Sequence, residues 1–368
     1  MRRLAAAVIT GLAINHAARR KALARKASAR KGAALAIAAL ACLFGGGLAA
    51  SPAGASTGPW VAFQTSLRNG QFGDDGVFLV RPDGSDQHEV ATAVPGEHIH
   101  PAWSSDGHIL VFAGDPAGDR TQVFRFDPLG DPTGAMAQQL TACAGSCMDD
   151  TDPALSPGDT KIAYIEIGGP LVTVGHIQIA ATQKLQIATI TAGGLTQVKT
   201  IFRTATTTEM NAPRWSPDGS HLVFWTDHVN ADTGQIDGTA VFTIRADGTQ
   251  PQQVTPQSMI AGECDWSPDG TRLVFATHPL LAFNFDPVVS NLFTVRPDGS
   301  GLEQLTHSTT PNDRATQPRF TPDGRIIYTR VTRGGRTLWL IDADGSNASP
   351  VPAGGQRIRT HGDWQPTA

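Results

Sequence analysis

Charge is scarce in this sequence: 17% of its 368 residues are Asp, Glu, Lys or Arg. It has two tyrosines and four cysteines, too few cysteines for a disulfide-dense scaffold. It has no Gly-rich loop of the phosphate-cradling kind and no dinucleotide fingerprint, so nothing points to a nucleotide-dependent enzyme. It also lacks long stretches of helical periodicity. Gly (39) and Pro (25) are plentiful instead, as a turn-rich all-β protein requires.

Residues 1–55 lack acidic residues altogether and carry nine Lys or Arg, from Arg2 to Lys31. The uncharged stretch 32–50 follows, then Ala53-Gly54-Ala55. This order reads as an export signal with a basic n-region, cleaved before Ser56. The alternative is an uncleaved anchor, since 19 uncharged residues just span a bilayer. Without the leader, 56–368 holds 29 − 9 = 20 basic and 33 − 0 = 33 acidic residues, a formal net charge of −13. That charge disfavours nucleic acid and anionic membrane as partners.

The rest of the chain repeats one sentence: PRWSPDGSHLVFW (213–225), with copies at 101–114, 264–277 and 318–330. A weaker copy stands at 153–166 and a fragment, GDWQP, at 362–366. The aromatic position falls at Trp103, Leu155, Trp215, Trp266, Phe320 and Trp364, spaced 52, 60, 51, 54 and 44 residues apart. That period suits propeller blades with generous loops. Each unit reads as four antiparallel strands, A to D, with tight Gly turns at A–B and C–D. The expected fold is all-β, a six-bladed β-propeller over 56–368. Strand A of 362–366 and strand B of 60–65 share one blade, which closes the ring without a free edge. The third unit departs most: 171–180 reads as an inserted strand or an extended B–C hairpin.

Both tight turns fall on one face of the disc, so function is expected on the other, where the B–C and D–A loops lie. The D–A loops place Glu97, His98, His100, Glu209, Asn211, Glu263, Asp265, Gln317, His361 and Asp363 just before the innermost strands, ringing the channel mouth. Alternation in an extended segment directs both His98 and His100 at the channel, where they and His361 form a candidate divalent metal site. The competing reading is structural: polar groups there hydrogen-bond across blades. The acidic run 149–152 is either a calcium site or a solvated loop. Among the B–C loops, the apolar Leu280, Leu281, Phe283 and Phe285 form a binding lip or fold back over the blade. Cys143 and Cys147 suit a local disulfide in an exported protein; a C-x3-C metal site is the alternative. Cys264 reads as a small buried residue.

At the repeated W-S-P-D-G followed by an apolar strand, the chain resembles the TolB-type β-propellers over nearly all of 58–366. The resemblance implies the propeller fold and protein or peptide binding at the channel mouth. The same blades occur in prolyl-oligopeptidase-like peptidases, which carry a separate hydrolase domain for which this chain has no room. They occur also in oligogalacturonate lyases, which hold a metal with His and Gln at the mouth; EHIHPAW (97–103), Gln317 and His361 are similar in kind. The expected protein is a monomeric, exported, periplasmic or secreted binding module without a cofactor, recognising a protein, peptide or glycan of the cell envelope. The alternative is a metal-dependent polysaccharide lyase using His98, His100 and His361.

Overall fold

The turn chemistry places the strands. In Ser216-Pro217-Asp218-Gly219 the Gly219 amide donates to the Ser216 carbonyl at 2.9 Å, and Gly219 takes φ +70°. Asp218 Oδ1 accepts from Ser216 Oγ at 2.6 Å and from the Ser220 amide at 3.0 Å, locking the turn. Ser104–Asp106 and Ser267–Asp269 repeat the hydroxyl bond at 2.6 Å.

The computed structural model describes residues 59–366 apart from 69–70, 176, 278–288, 311–312 and 353–359. They form six four-stranded antiparallel sheets, one per blade of a six-bladed β-propeller. The innermost (A) strands are Thr360–Trp364, His98–Trp103, Cys147–Leu155, Thr208–Trp215, Ala261–Trp266 and Arg314–Phe320, for blades 1 to 6. Blade 1 is built from both chain ends: Val61 pairs with Trp364 on one side and with Val80 on the other.

The cores lie between blades. One cluster joins Trp60 and Leu79 of blade 1 to Trp103 and Phe112 of blade 2. Another joins Ile165 of blade 3 to Trp215 and Phe224 of blade 4. Phe63, Phe112, Phe224 and Phe275 of the B strands are completely buried. Each stacks on a phenylalanine directly opposite in strand C, with centroids 5.4–5.7 Å apart. The A-strand residues Trp103, Trp215 and Trp266 are buried, and Phe320 and Trp364 are half-buried.

Blade 3 resolves its ambiguity as an extended B–C hairpin, strands Lys161–Val174 and Ile177–Thr191. Its tip rests on blade 4: the Gly175 amide donates to the Ala231 carbonyl at 3.0 Å. The run 149–152 is not a solvated loop. It lies in strand Cys147–Leu155, with Asp149 and Asp150 buried.

Candidate functional site

Every described A strand slips register just before its last residues, between Ile99 and Ala102, Thr151 and Ala154, Asn211 and Arg214, Gly262 and Asp265, and Thr316 and Arg319. In blade 1 the same slip falls between Thr360 and Asp363, opposite Gln64 and Ala62. Three residues before five of the six aromatic positions stands a residue in the left-handed region: His100 (φ 54°), Asp152 (52°), Ala212 (47°), Glu263 (56°) and Gln317 (55°). None is glycine. Such a backbone costs about 1 kcal/mol or more per residue, so the surroundings must over-determine it. A bulge re-aims side chains, and three of these five, His100, Asp152 and Ala212, line a cavity among the innermost strands.

The bulge separates the two histidines. Strict alternation would point both at the axis; instead His98 is fully buried with its ring 5.1 Å from Phe112. His100 lines the axial cavity, and its Nδ1 lies 3.2 Å from Asp152 Oδ1 and 3.2 Å from Thr151 Oγ1. The side chain of His361 and the apolar residues of 280–285 lie outside the described residues.

Several expected ligand-binding groups hold blades together. Asp363 Oδ2 accepts from the Trp103 amide at 2.7 Å, and Asp265 Oδ2 from the Phe320 amide at 2.9 Å. Glu263 Oε2 accepts from the Gln317 amide at 2.6 Å. Gln64 and Gln183 do the same for the amides of His100 and Met210, at 2.8 and 2.6 Å. Burial pushes the Asp265 carboxyl above its ordinary range, opposed by Arg319 and then Arg214. Glu209 is buried opposite Asp227 in register and faces away from any described hydrogen-bond partner at Oε2. Burial first, then Asp227, pushes its carboxyl up to about 8. Asn211 is half-buried in the same strand.

Two arginines absent from the expected site, Arg214 and Arg319, stand one position before the aromatics Trp215 and Phe320. Arg214 and Arg319, with His100, Asp152 and Ala212, line a cavity of about 10 Å³, room for one water. The signal was present in the repeat itself, as the shared P-R-aromatic of 213–215 and 318–320.

Cys143 and Cys147 form a disulfide with Cα atoms 5.3 Å apart, on the loop and strand leading to Asp149. Cys147 Sγ lies 3.7 Å from Asp150 Oδ1. Cys143, Cys147 and Asp150 are near enough to share a metal ion, but the two sulfurs are bonded to each other, and a disulfide is a poor ligand beside a thiolate. Burial pushes the Cys264 thiol up to about 12, so it is inert packing. On the turn face, Ser220 Oγ touches both Asp218 and His221 Nδ1. The aspartate bonds the serine rather than orienting the imidazole, so this is turn architecture and not a nucleophile–base pair.

No family model matches the sequence, and no curated protein matches it. Solved structures match the fold. TolB from Acinetobacter baumannii aligns with TM-score 0.60 at 14% identity, covering 83% of this chain and 66% of that one. A chain of the nidogen/laminin complex aligns with TM-score 0.57 at 11% identity, covering 84% of this chain and 100% of that one. A puromycin-hydrolyzing peptidase of Mycobacterium tuberculosis aligns with TM-score 0.50 at 16% identity, over 80% of this chain and 44% of that one. The fold is therefore that of the TolB-like β-propellers. Its neighbours include a peptidase, so function has to be argued from this chain's own surface.

Proposed function

We propose that 56–368 is an exported, non-enzymatic binding module that recognises a protein, peptide or glycan through its long-loop face and channel mouth. One observation carries this reading: that face is built unevenly. The blade 3 hairpin stands out beyond its blade and docks its Gly175 tip on the blade 4 loop at Ala231. Val174 and Ile179 near its tip, and Val229 and Ile236 flanking the loop, are buried. The two hairpins thus brace each other on the long-loop face, whereas the tight turns opposite are near-copies of one another. A shaped, braced face suits recognition. The nidogen/laminin neighbour belongs to a protein complex by name, which favours a protein partner. Export rests on the basic, apolar and A-x-A order of residues 1–55. No helix among the described residues is long and apolar enough to cross a membrane.

Photo-crosslinking in the producing cells tests the reading. A crosslinker at Thr173 or Asp232, both exposed on the long-loop face, should capture a discrete partner; one at Asp298 on the turn face should not. Equal or absent capture from both faces would refute it. Metal content of the purified chain tests the lyase alternative. About one equivalent of manganese, zinc or nickel, lost in His100→Ala, would favour that enzyme; metal retained in His100→Ala would place it elsewhere.

A further inference from the structure

Among the innermost strands, Arg214 has carboxylates near it but no hydrogen bond to any of them. Arg214 makes no hydrogen bond and no ion pair among the described residues, and its Nε is enclosed without a partner. A guanidinium offers five N–H donors, and an enclosed donor left unused is costly. Arg319 faces the same cavity at 4% exposure; its Nη1 donates to the carbonyls of Pro318 at 2.8 Å and Cys264 at 3.3 Å. Burial holds Arg214 below its ordinary range, and Arg319 is the next cause.

The carboxylates that act on Arg214 are Asp363, Asp265 and Asp152. Each commits an oxygen elsewhere: Asp363 to the Trp103 amide, Asp265 to the Phe320 amide, and Asp152 to His100. None forms an ion pair with either arginine among the described residues. The position three residues before the aromatic differs between blades. There the other described blades set His100, Asp152, Glu263 and Gln317, but blade 4 sets Ala212, two residues before Arg214. Ala212 lines the cavity beside Arg214 with only a methyl group.

We propose that Arg214 and Arg319 anchor one carboxylate group on a slender, flexible arm: the C-terminus of an extended peptide or an Asp or Glu side chain. Two neighbouring guanidiniums with unused donors match a carboxylate in charge and geometry. The cavity admits one water-sized group, about 10 Å³, so an oxygen enters and a ring does not. A uronic acid carries its carboxyl directly on the sugar ring and is excluded by size. The proposal rests on the reading of the mouth as a binding surface and adds the group that it reads.

Calorimetric titration of the full chain tests it. The probes are acetyl-Gly-Gly-Gly with a free C-terminus, the same peptide amidated, acetyl-Gly-Glu-Gly-amide, and galacturonate. At least one acidic peptide should bind about tenfold or more tightly than the neutral amide. The free C-terminus and the glutamate peptide distinguish the two sources. Arg214→Met should abolish the preference and Arg214→Lys should keep part of it. Ala212→Gln, which fills the cavity beside Arg214 and leaves the arginine in place, should also abolish it and guards against a misfolded Arg214 variant. Equal binding of acid and amide by the natural protein overturns the proposal and leaves only a water site. So does a preference that survives Arg214→Met or Ala212→Gln, and galacturonate binding as well as the peptides refutes the slender arm. If crosslinking from Thr173 persists while the acid preference is absent, the anchor fails and the binding surface stands.

Discussion

Glu209 and Asp227 show how far burial reshapes single residues in this protein. They face each other across strands A and B of blade 4, and both are almost inaccessible to solvent. A folded-state value of about 8 for Glu209 lies above its unfolded value of 4.5. Between these two values the folded protein keeps a proton that the unfolded chain has lost. Stability therefore falls as pH rises from about 4.5 to about 8, approaching ~1.4 kcal/mol per pH unit at its steepest. Glu209→Gln should melt higher than the natural protein at pH 8, with the advantage shrinking towards pH 5. A melting difference that does not change with pH would remove this account. The turn aspartates act in the opposite sense. Asp218 is held at about 2, chiefly by the Ser216 hydroxyl, so its contribution is present above 3.8 and lost as pH falls towards 2.

At the scale of elements, the blade is a repeated packing unit that blade 6 varies, with Tyr328 opposite Trp339, and from which blade 3 departs further. Phe63–Phe78, Phe112–Phe124, Phe224–Phe242 and Phe275–Phe293 are the same B–C cross-strand stack in four blades. Blade 3 has Tyr164 opposite Gln186 in that place, and it alone among the described blades carries B and C strands of 14 and 15 residues. The hairpin tip needs glycine: Gly175 has φ +56°, and a Cβ there would stand 2.2 Å from the Gly234 amide nitrogen. Gly175→Val should undock the tip. Cleavage within 168–182 by a broad-specificity protease should accelerate several-fold, while the global melt moves little, because the blade cores do not include the tip. Unchanged cleavage would show that the bracing does not depend on this contact.

At the scale of the molecule, stability depends on closing the ring. Thr360–Trp364 supplies the innermost strand of blade 1, Asp363 bonds the Trp103 amide of blade 2, and the Gln365 amide donates to the Trp60 carbonyl at 2.8 Å. Removing 360–368 exposes the edge of strand Val61–Arg68 and the flank of the blade 6 and blade 1 core around Val61, Phe63 and Ile327. An unpaired apolar edge invites association with other chains. The truncated protein should melt more than 10 °C lower, or collect in aggregates, by calorimetry and size-exclusion chromatography. A monomer with an unshifted melt would mean that the ring is held without its closing strand.

The sequence by itself determined the period, the turn positions, the blade count and the sharing of blade 1 by both chain ends. These rest on local rules: turn residues with special dihedrals, and apolar runs of strand length bounded by them. The repeat also placed the ring of polar residues before the aromatic positions. Only the tertiary structure decided what those residues do. Whether His98 and His100 share a face depends on a one-residue slip against strand B, and a slip has no composition signature. Whether Asp265 and Asp363 bind ligand or backbone depends on the neighbouring blade, more than fifty residues away in sequence for one and 260 for the other. The two arginines were printed in the repeat, but that they share a cavity, and that Arg214 Nε has no partner there, are properties of the closed ring alone.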